Sequence, residues 1–308
     1  MRKVSYSFIN PYKEELIEVK LSVFTVSVPD LTPRELGAAA MAAGIEGIEW
    51  RFKGIPMDAL QETPSFWRNN YCSIDPERWE EEIPECMDVA STYQLQSVAL
   101  VPYLNHQDIQ STEQAFQAAS RLGASLIRVG VPNYDRSISY GNLYNSAIRY
   151  ISQVQEYAQH YHVKAVIETH HGTIAPSASL AYRLVQSFDP THVGVLYDPG
   201  NMVYEGFENY RMDLELLGPY LAHVHIKNAI WAPKNHNQKD LFRLGESEWE
   251  GVWASIDKGI VPWLEVMRDL HSVGYDGYVG IEDFSGTYDS IQMLEHAANL
   301  FRYLKEQL

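Results

Sequence analysis

Eight times along this chain, a short run of β-branched and apolar residues gives way to a longer segment with helical periodicity. The runs cover residues 21–27, 47–52, 96–104, 126–132, 163–170, 193–198, 221–228 and 278–284. Helical segments between them include 32–43, 76–93, 112–122, 143–161 and 179–188. The strand runs are nearly continuous in hydrophobicity rather than alternating, the pattern of strands buried on both faces in a parallel sheet. Eight strand–helix units over about 290 residues predict an α/β fold of the closed (β/α)₈ TIM barrel type. A doubly wound sheet would open with a Gly-rich phosphate turn after its first strand, where this chain carries Ser27-Val28-Pro29-Asp30. Thr32-Pro33-x-Glu35 marks a helix start, and Gly44 and Gly123 mark helix stops.

Two insertions, residues 54–73 after the second strand and 229–257 after the seventh, are rich in Trp, Pro, Asn and charge. In a barrel these extended loops sit on the catalytic face. Residues 21–308 are expected to form a single barrel domain. Residues 1–20 are expected to be an N-terminal arm lying outside the barrel or against a neighbouring subunit of a homo-oligomer.

The 308 residues hold 24 Lys and Arg against 40 Asp and Glu, a formal charge of −16. That mean field argues against nucleic acid and anionic membrane surfaces as partners. Cys72 and Cys86 are the only cysteines, with no Cys-x-x-Cys, which excludes a disulfide framework and a thiolate zinc site. The N-terminal segment lacks the form of a signal peptide, and no apolar run approaches the ~18 residues of a transmembrane helix. A cytoplasmic protein is expected.

The chemistry lies in where the acids and imidazoles fall. Glu168 follows Ala-Val-Ile in the fifth run, Asp198 follows Val-Leu-Tyr in the sixth, His223 and His225 alternate through the seventh, and Glu282 follows Val-Gly-Ile in the eighth. Charged side chains are seldom buried without a partner. Four consecutive strands delivering such groups to one end of a barrel therefore ask for a shared counter-ion. Three carboxylates and one imidazole suit a single divalent ion: Mn²⁺, Mg²⁺, Co²⁺ or Zn²⁺. Asp198, taken alone, also reads as an N-cap before Pro199. The strand period of two puts His223 and His225 on one face. His225, nearer the catalytic end, is the expected ligand, while His223 is either a donor behind it or a packed barrel residue.

These residues resemble the motifs of the xylose isomerase-like TIM barrels, the sugar phosphate isomerase/epimerase proteins. The likeness rests on Ile-Glu168-Thr-His-His-Gly-Thr, Tyr-Asp198-Pro-Gly-Asn201, His223-Val-His225-Ile-Lys227-Asn228 and Ile-Glu282-Asp-Phe, in that chain order. Leu-Ser-Val-Phe-Thr, Gly47-Ile-Glu-Trp-Arg51 and Gly259-x-Val261-Pro262-Trp263 add to it, so that the resemblance covers about residues 20–305. It implies one divalent metal held by Glu168, Asp198, His225 and Glu282. It also implies that Glu168 and Glu282 act as an acid–base pair on a bound carbohydrate, through an enediolate, giving isomerisation or epimerisation. Removal of a leaving group β to the carbonyl of a keto-sugar, keto-inositol or 3-keto-glycoside is the alternative. Ketose 3-epimerases of the family carry Glu, Arg and His where this chain has Ile174, Trp231 and Asn201. These exchanges point to a substrate other than a free ketohexose.

Further substrate contacts are expected from Arg51 at the end of the second strand, from His170 and His171 after Glu168, and from Asn201. Lys227 shares the strand face of His225 and would hold a substrate oxyanion; a salt bridge is the competing reading. Among the loop aromatics Phe66, Trp67, Tyr71, Trp231, Trp249 and Trp253, Trp67 and Trp231 are expected to cover the sugar ring.

Overall fold

The computed structural model describes residues 18–234 and 247–308. The eight strands are β1 (Lys20–Phe24), β2 (Gly47–Phe52), β3 (Gln96–Pro102), β4 (Leu126–Arg128), β5 (Lys164–Glu168), β6 (Val193–Tyr197), β7 (Leu221–Ile226) and β8 (Tyr278–Ile281). Each pairs in parallel with the next, and β8 pairs with β1, so the sheet closes into a (β/α)₈ barrel. A two-residue strand, Ser73–Ile74, adds to the carboxyl end of β2. The first seventeen residues of the expected arm lie outside the described residues, and Lys20 already belongs to β1.

The outer layer consists of α1 (Pro33–Ala43), α2 (Trp79–Thr92), α3 (Ile109–Leu122), α4 (Tyr140–Tyr161), α5 (Ala178–Val185), α6 (Tyr210–Leu217), α7 (Trp263–Ser272) and α8 (Ser290–Glu306). The helix start at Thr32 is a full capping box: its hydroxyl accepts from the Glu35 backbone N–H, and the Glu35 carboxylate accepts from the Thr32 N–H. Gly44 and Gly123 end α1 and α3 in the left-handed conformation that a side chain disfavours. Eight residues long and capped by Asn209, α6 is not among the helical segments named from the sequence.

Most strands end earlier than their apolar runs suggest. After Phe24 the chain turns through a 3₁₀ segment, Thr25–Ser27, and after Tyr197 it enters a short helical turn, Pro199–Met202. The second insertion is not a plain loop. It forms an antiparallel hairpin of Asn228–Pro233 with Trp249–Ala254, and residues 235–246 between them lie outside the described residues. The main core fills the space between helices and barrel wall; a smaller cluster around Phe24, Val98, Val101, Val166 and Leu196 also forms. Among the described residues no helix is long and apolar enough to cross a membrane.

Candidate active site

Glu168, Asp198, His225 and Glu282 converge at the carboxyl end of the barrel. One ligand atom of each lies within 4.8 Å of the others, and all four residues are buried. His225 Nδ1 stands 3.5 Å from Glu282 Oε2, 3.6 Å from Glu168 Oε1 and 3.8 Å from Asp198 Oδ2. Donors tetrahedrally arranged ~2.1 Å from one ion stand about 3.4 Å apart, so the set is spaced for a shared cation rather than for hydrogen bonding within itself. The buried Nδ1 of His225 has no hydrogen-bond partner among the described residues, and Glu282 Oε2 has none there beyond its ion pair with Lys227. Four buried carboxylates, counting Glu49, face the cations Arg128 and Lys227. The carboxylates outnumber these two cations by two, a surplus of negative charge that a bound divalent ion would offset. The residues present therefore fit such an ion.

Asp198 is the N-cap that its place before Pro199 suggests, and it also stands in the cluster. Its Oδ1 caps the turn by accepting from the Asn201 N–H at 2.9 Å, which leaves Oδ2 for the cluster. Asn201 Nδ2 donates to Asp198 Oδ2 at 2.8 Å and to Glu168 Oε1 at 3.1 Å, tying two of the acids together. Lys227 Nζ donates to Asp198 Oδ2 at 2.9 Å and to Asn201 Oδ1 at 3.1 Å, and it is paired with Glu282. Gly200 makes that approach feasible, because a Cβ there would sit 2.7 Å from the Lys227 side chain.

The electrostatics divide the acids. Burial alone would raise the pKa of Glu168, but the Arg128 charge beside it outweighs burial and holds it well below the ordinary carboxylate range. Arg128 Nη1 reaches Glu168 Oε2 at 2.6 Å, and its guanidinium lies 5.1 Å from the centre of the Tyr103 ring. Burial opposes charge on Lys227, yet Asp198 and Glu282 raise its pKa above the usual value, so it stays an ammonium. His171 goes the other way: burial, with His170 and Lys227 nearby, pushes it down to about 4. It is a neutral imidazole at physiological pH.

A cavity of about 470 Å³ opens over the cluster, within the usual range for a small-molecule site. Trp67, His170, His171, Asn201 and Lys227 line it, as do Arg128 and Glu282. Arg51 and Trp231 are placed elsewhere. The Arg51 guanidinium donates to Ser73 Oγ at 2.6 Å, Trp67 O at 3.1 Å and Lys53 O at 3.3 Å, so it anchors the loop after β2 rather than reaching into the cavity. Tyr204 lies against Gly251 of the hairpin, with Trp231 on one side at 6.1 Å and Trp253 on the other at 4.6 Å. Trp231 is not among the residues that line the cavity: it is 41% exposed, with its indole N–H on Val203 O. Trp253 takes the covering position, 4.9 Å from Lys227 Nζ, while Trp67 packs 4.8 Å from Phe284 across the opening.

Sequence reasoning assigned no role to two residues of the site, Glu49 and Arg128. Glu49, fully buried on β2, accepts from Ser22 Oγ at 2.7 Å and lies 2.9 Å from His225 Nε2. His223 Nε2 is 3.0 Å from its other oxygen, outside hydrogen-bond alignment. The available signal for each was a charge set within an apolar strand run, Gly-Ile-Glu49-Trp and Leu-Ile-Arg128-Val.

Residues 38–306 match the family model described as xylose isomerase-like TIM barrel. An inosose dehydratase of Geobacillus thermodenitrificans (strain NG80-2) is 22% identical over 199 residues, covering 58% of this chain and 65% of that protein, so the match spans just under two thirds of the relative's length. The probable 3-DHS dehydratase of Bacillus anthracis superposes with a TM-score of 0.67 at 17% identity, over 92% of this chain and 99% of that one. The 3-keto-D-glucoside 4-epimerase of E. coli gives 0.65 at 15% identity, over 93% and 100%. At these identities the two structures establish the likeness of fold.

Proposed function

The chain belongs to the xylose isomerase-like TIM barrels, and on that premise we propose that it is a metal-dependent dehydratase acting on a polyhydroxylated ketone of the carbohydrate class. It would remove the proton beside the carbonyl and expel the hydroxyl on the next carbon as water. Glu168, Asp198, His225 and Glu282 would hold one divalent ion, whose charge when bound would stabilise the developing enediolate.

The observation that carries the choice of reaction is the 2.6 Å contact of Arg128 with Glu168. Epimerisation needs one group to take a proton from one face of the carbon and another to return one on the other face. Glu168, held ionised by Arg128, is a poor proton donor, so one of the two glutamates is withdrawn from proton traffic. Elimination needs only one carboxylate. Glu282 takes the proton as the C–H bond breaks and hands it to the departing oxygen as the C–O bond breaks, so a single water leaves and an unsaturated ketone remains. Lys227, fixed as an ammonium beside Glu282, steadies the charge on the substrate oxygens. The inosose dehydratase relative agrees in reaction class.

Epimerisation or isomerisation is the second reading, favoured by one observation: His171 lines the cavity as a neutral imidazole able to serve a second face. The test is incubation of metal-loaded protein in D₂O with a keto-inositol, a 3-keto-glycoside and a ketohexose. The dehydratase reading expects one of them to lose water. Deuterated substrate with an inverted centre and no loss of water makes the chain an epimerase. Absence of exchange with every ketone removes proton abstraction altogether.

Metal analysis supplies a companion prediction. His225→Ala is expected to lose most bound Co²⁺ or Mn²⁺ in equilibrium dialysis. His192→Ala, just ahead of β6 at the opposite end of the barrel, should retain it.

A further inference from the structure

Behind the cluster, on the side away from the cavity, lies a polar layer that the reaction itself does not use. The register aligns Ser22 of β1 with Gly280 of β8, and Gly280 with His225 of β7. The Glu49 carboxylate fills the space above that glycine: a Cβ built on Gly280 would fall on Glu49 Oε1 and come within 3.1 Å of His223 Nε2. Ser22 Oγ donates to Oε1 at 2.7 Å, and Oε2 lies 2.9 Å from His225 Nε2. The Phe24 ring stacks against the His225 ring at 5.9 Å. Glu49, Ser22 and His225 are all completely buried, so these contacts have no competition from water.

We propose that Glu49 is a positioning residue that sets the tautomer and angle of His225, so that Nδ1, not Nε2, faces the ion. An ionised carboxylate is only an acceptor, so at 2.9 Å it demands a proton on Nε2. A neutral imidazole protonated on Nε2 carries its lone pair on Nδ1, and Nδ1 is the atom 3.5–3.8 Å from the three cluster carboxylates, without a hydrogen bond of its own among the described residues. A carboxylate behind a ligating histidine also raises the donor strength of the ring, and loss of such a partner typically costs ~10–100-fold in metal affinity. Gly280 belongs to the same device, because only a residue without Cβ leaves room for the carboxylate. Glu49, His223 and His225 also lie close enough together to resemble a second cation site. Glu49 Oε2, 2.9 Å from His225 Nε2, makes a hydrogen bond that a metal on Nε2 would have to replace, so ion stoichiometry tells the two arrangements apart.

The inference rests on the metal reading above, and the test separates the two. Co²⁺ is titrated into the full chain, its visible bands are recorded, and Glu49→Gln and Gly280→Ala are compared with the parent. The parent is expected to take one Co²⁺. Glu49→Gln should bind it 10–100-fold more weakly with altered bands. Gly280→Ala, which displaces the carboxylate without removing it, should move in the same direction. If the parent takes no Co²⁺, the metal reading falls and this inference with it. If the parent takes one and Glu49→Gln binds equally well, the inference alone is overturned. Two ions per parent chain, one of them lost in Glu49→Gln, would make Glu49 a ligand and overturn it as well. Should the variants not fold, the Zn²⁺-loaded parent labelled with ¹⁵N-histidine decides the matter. A proton on Nε2 of His225 and metal on Nδ1 support the assignment, and the reverse arrangement overturns it.

Discussion

Glu282→Gln is expected to abolish substrate deuterium exchange by ~10²-fold or more while leaving the barrel folded, the usual scale of a lost acid–base group. The amide keeps the volume and one oxygen, so the packing at the end of β8 survives and metal affinity falls without vanishing. The proton-accepting oxygen does not survive. Of the two glutamates in the cluster, Glu282 is the one without an arginine partner among the described residues, and there its Oε2 has no hydrogen-bond partner beyond the Lys227 ion pair. Exchange measured by mass spectrometry in D₂O, alongside Co²⁺ binding on the same preparation, separates loss of the base from loss of the ion. Parent-like exchange in the variant would reduce Glu282 to a ligand and move the base to His171, the neutral imidazole in the same cavity.

The barrel was legible because its signal is local and repeated: each β-branched run is long enough to read on its own, and caps such as Thr32 state where helices begin. The four clustered side chains were legible for a related reason, since each is a charge or imidazole in or just beyond an apolar run. What escaped depends on register or tertiary approach. Arg128 stands two residues short of the Glu168 level, paired with Val166, and nothing in the sequence says which side chain its guanidinium will meet. Glu49 was visible as a buried acid, but its link to His225 spans 176 positions and passes over Gly280, a gap that exists only once β1, β8 and β7 are aligned. Trp231 and Trp253 could not be ranked as covers before the hairpin paired them around Tyr204. Arg51 carried the right charge at a strand end, but the backbone of the loop after β2 claims it.

Arg128→Met should destabilise the metal-free protein by ~3–5 kcal/mol, because it leaves the Glu168 carboxylate buried and unpaired. The pH dependence has a definite sign. Arg128, once burial is overcome, keeps Glu168 well below its ordinary value of 4.5. A depressed carboxylate contributes stability that is fully present above that ordinary value and is lost as pH falls through the folded one. Urea unfolding should therefore show the widest gap between parent and variant near neutrality, and a narrower one near pH 4.5, where the variant can protonate Glu168 and the parent gains less from ionising it. A divalent ion should narrow the neutral gap in the same way, since it supplies the missing positive charge. A gap that ignores both pH and ion would mean that the arginine acts by packing against Tyr103 and Phe24 alone. The variant also bears on the reaction. Once released, Glu168 can carry a proton, and the cluster then holds two exchangeable carboxyl groups where the parent has one. If Arg128 is what confines the parent to elimination, the variant should return deuterium to the substrate carbon and form epimer at the expense of dehydrated product. An unchanged product ratio would show that the Arg128–Glu168 pair does not select the reaction.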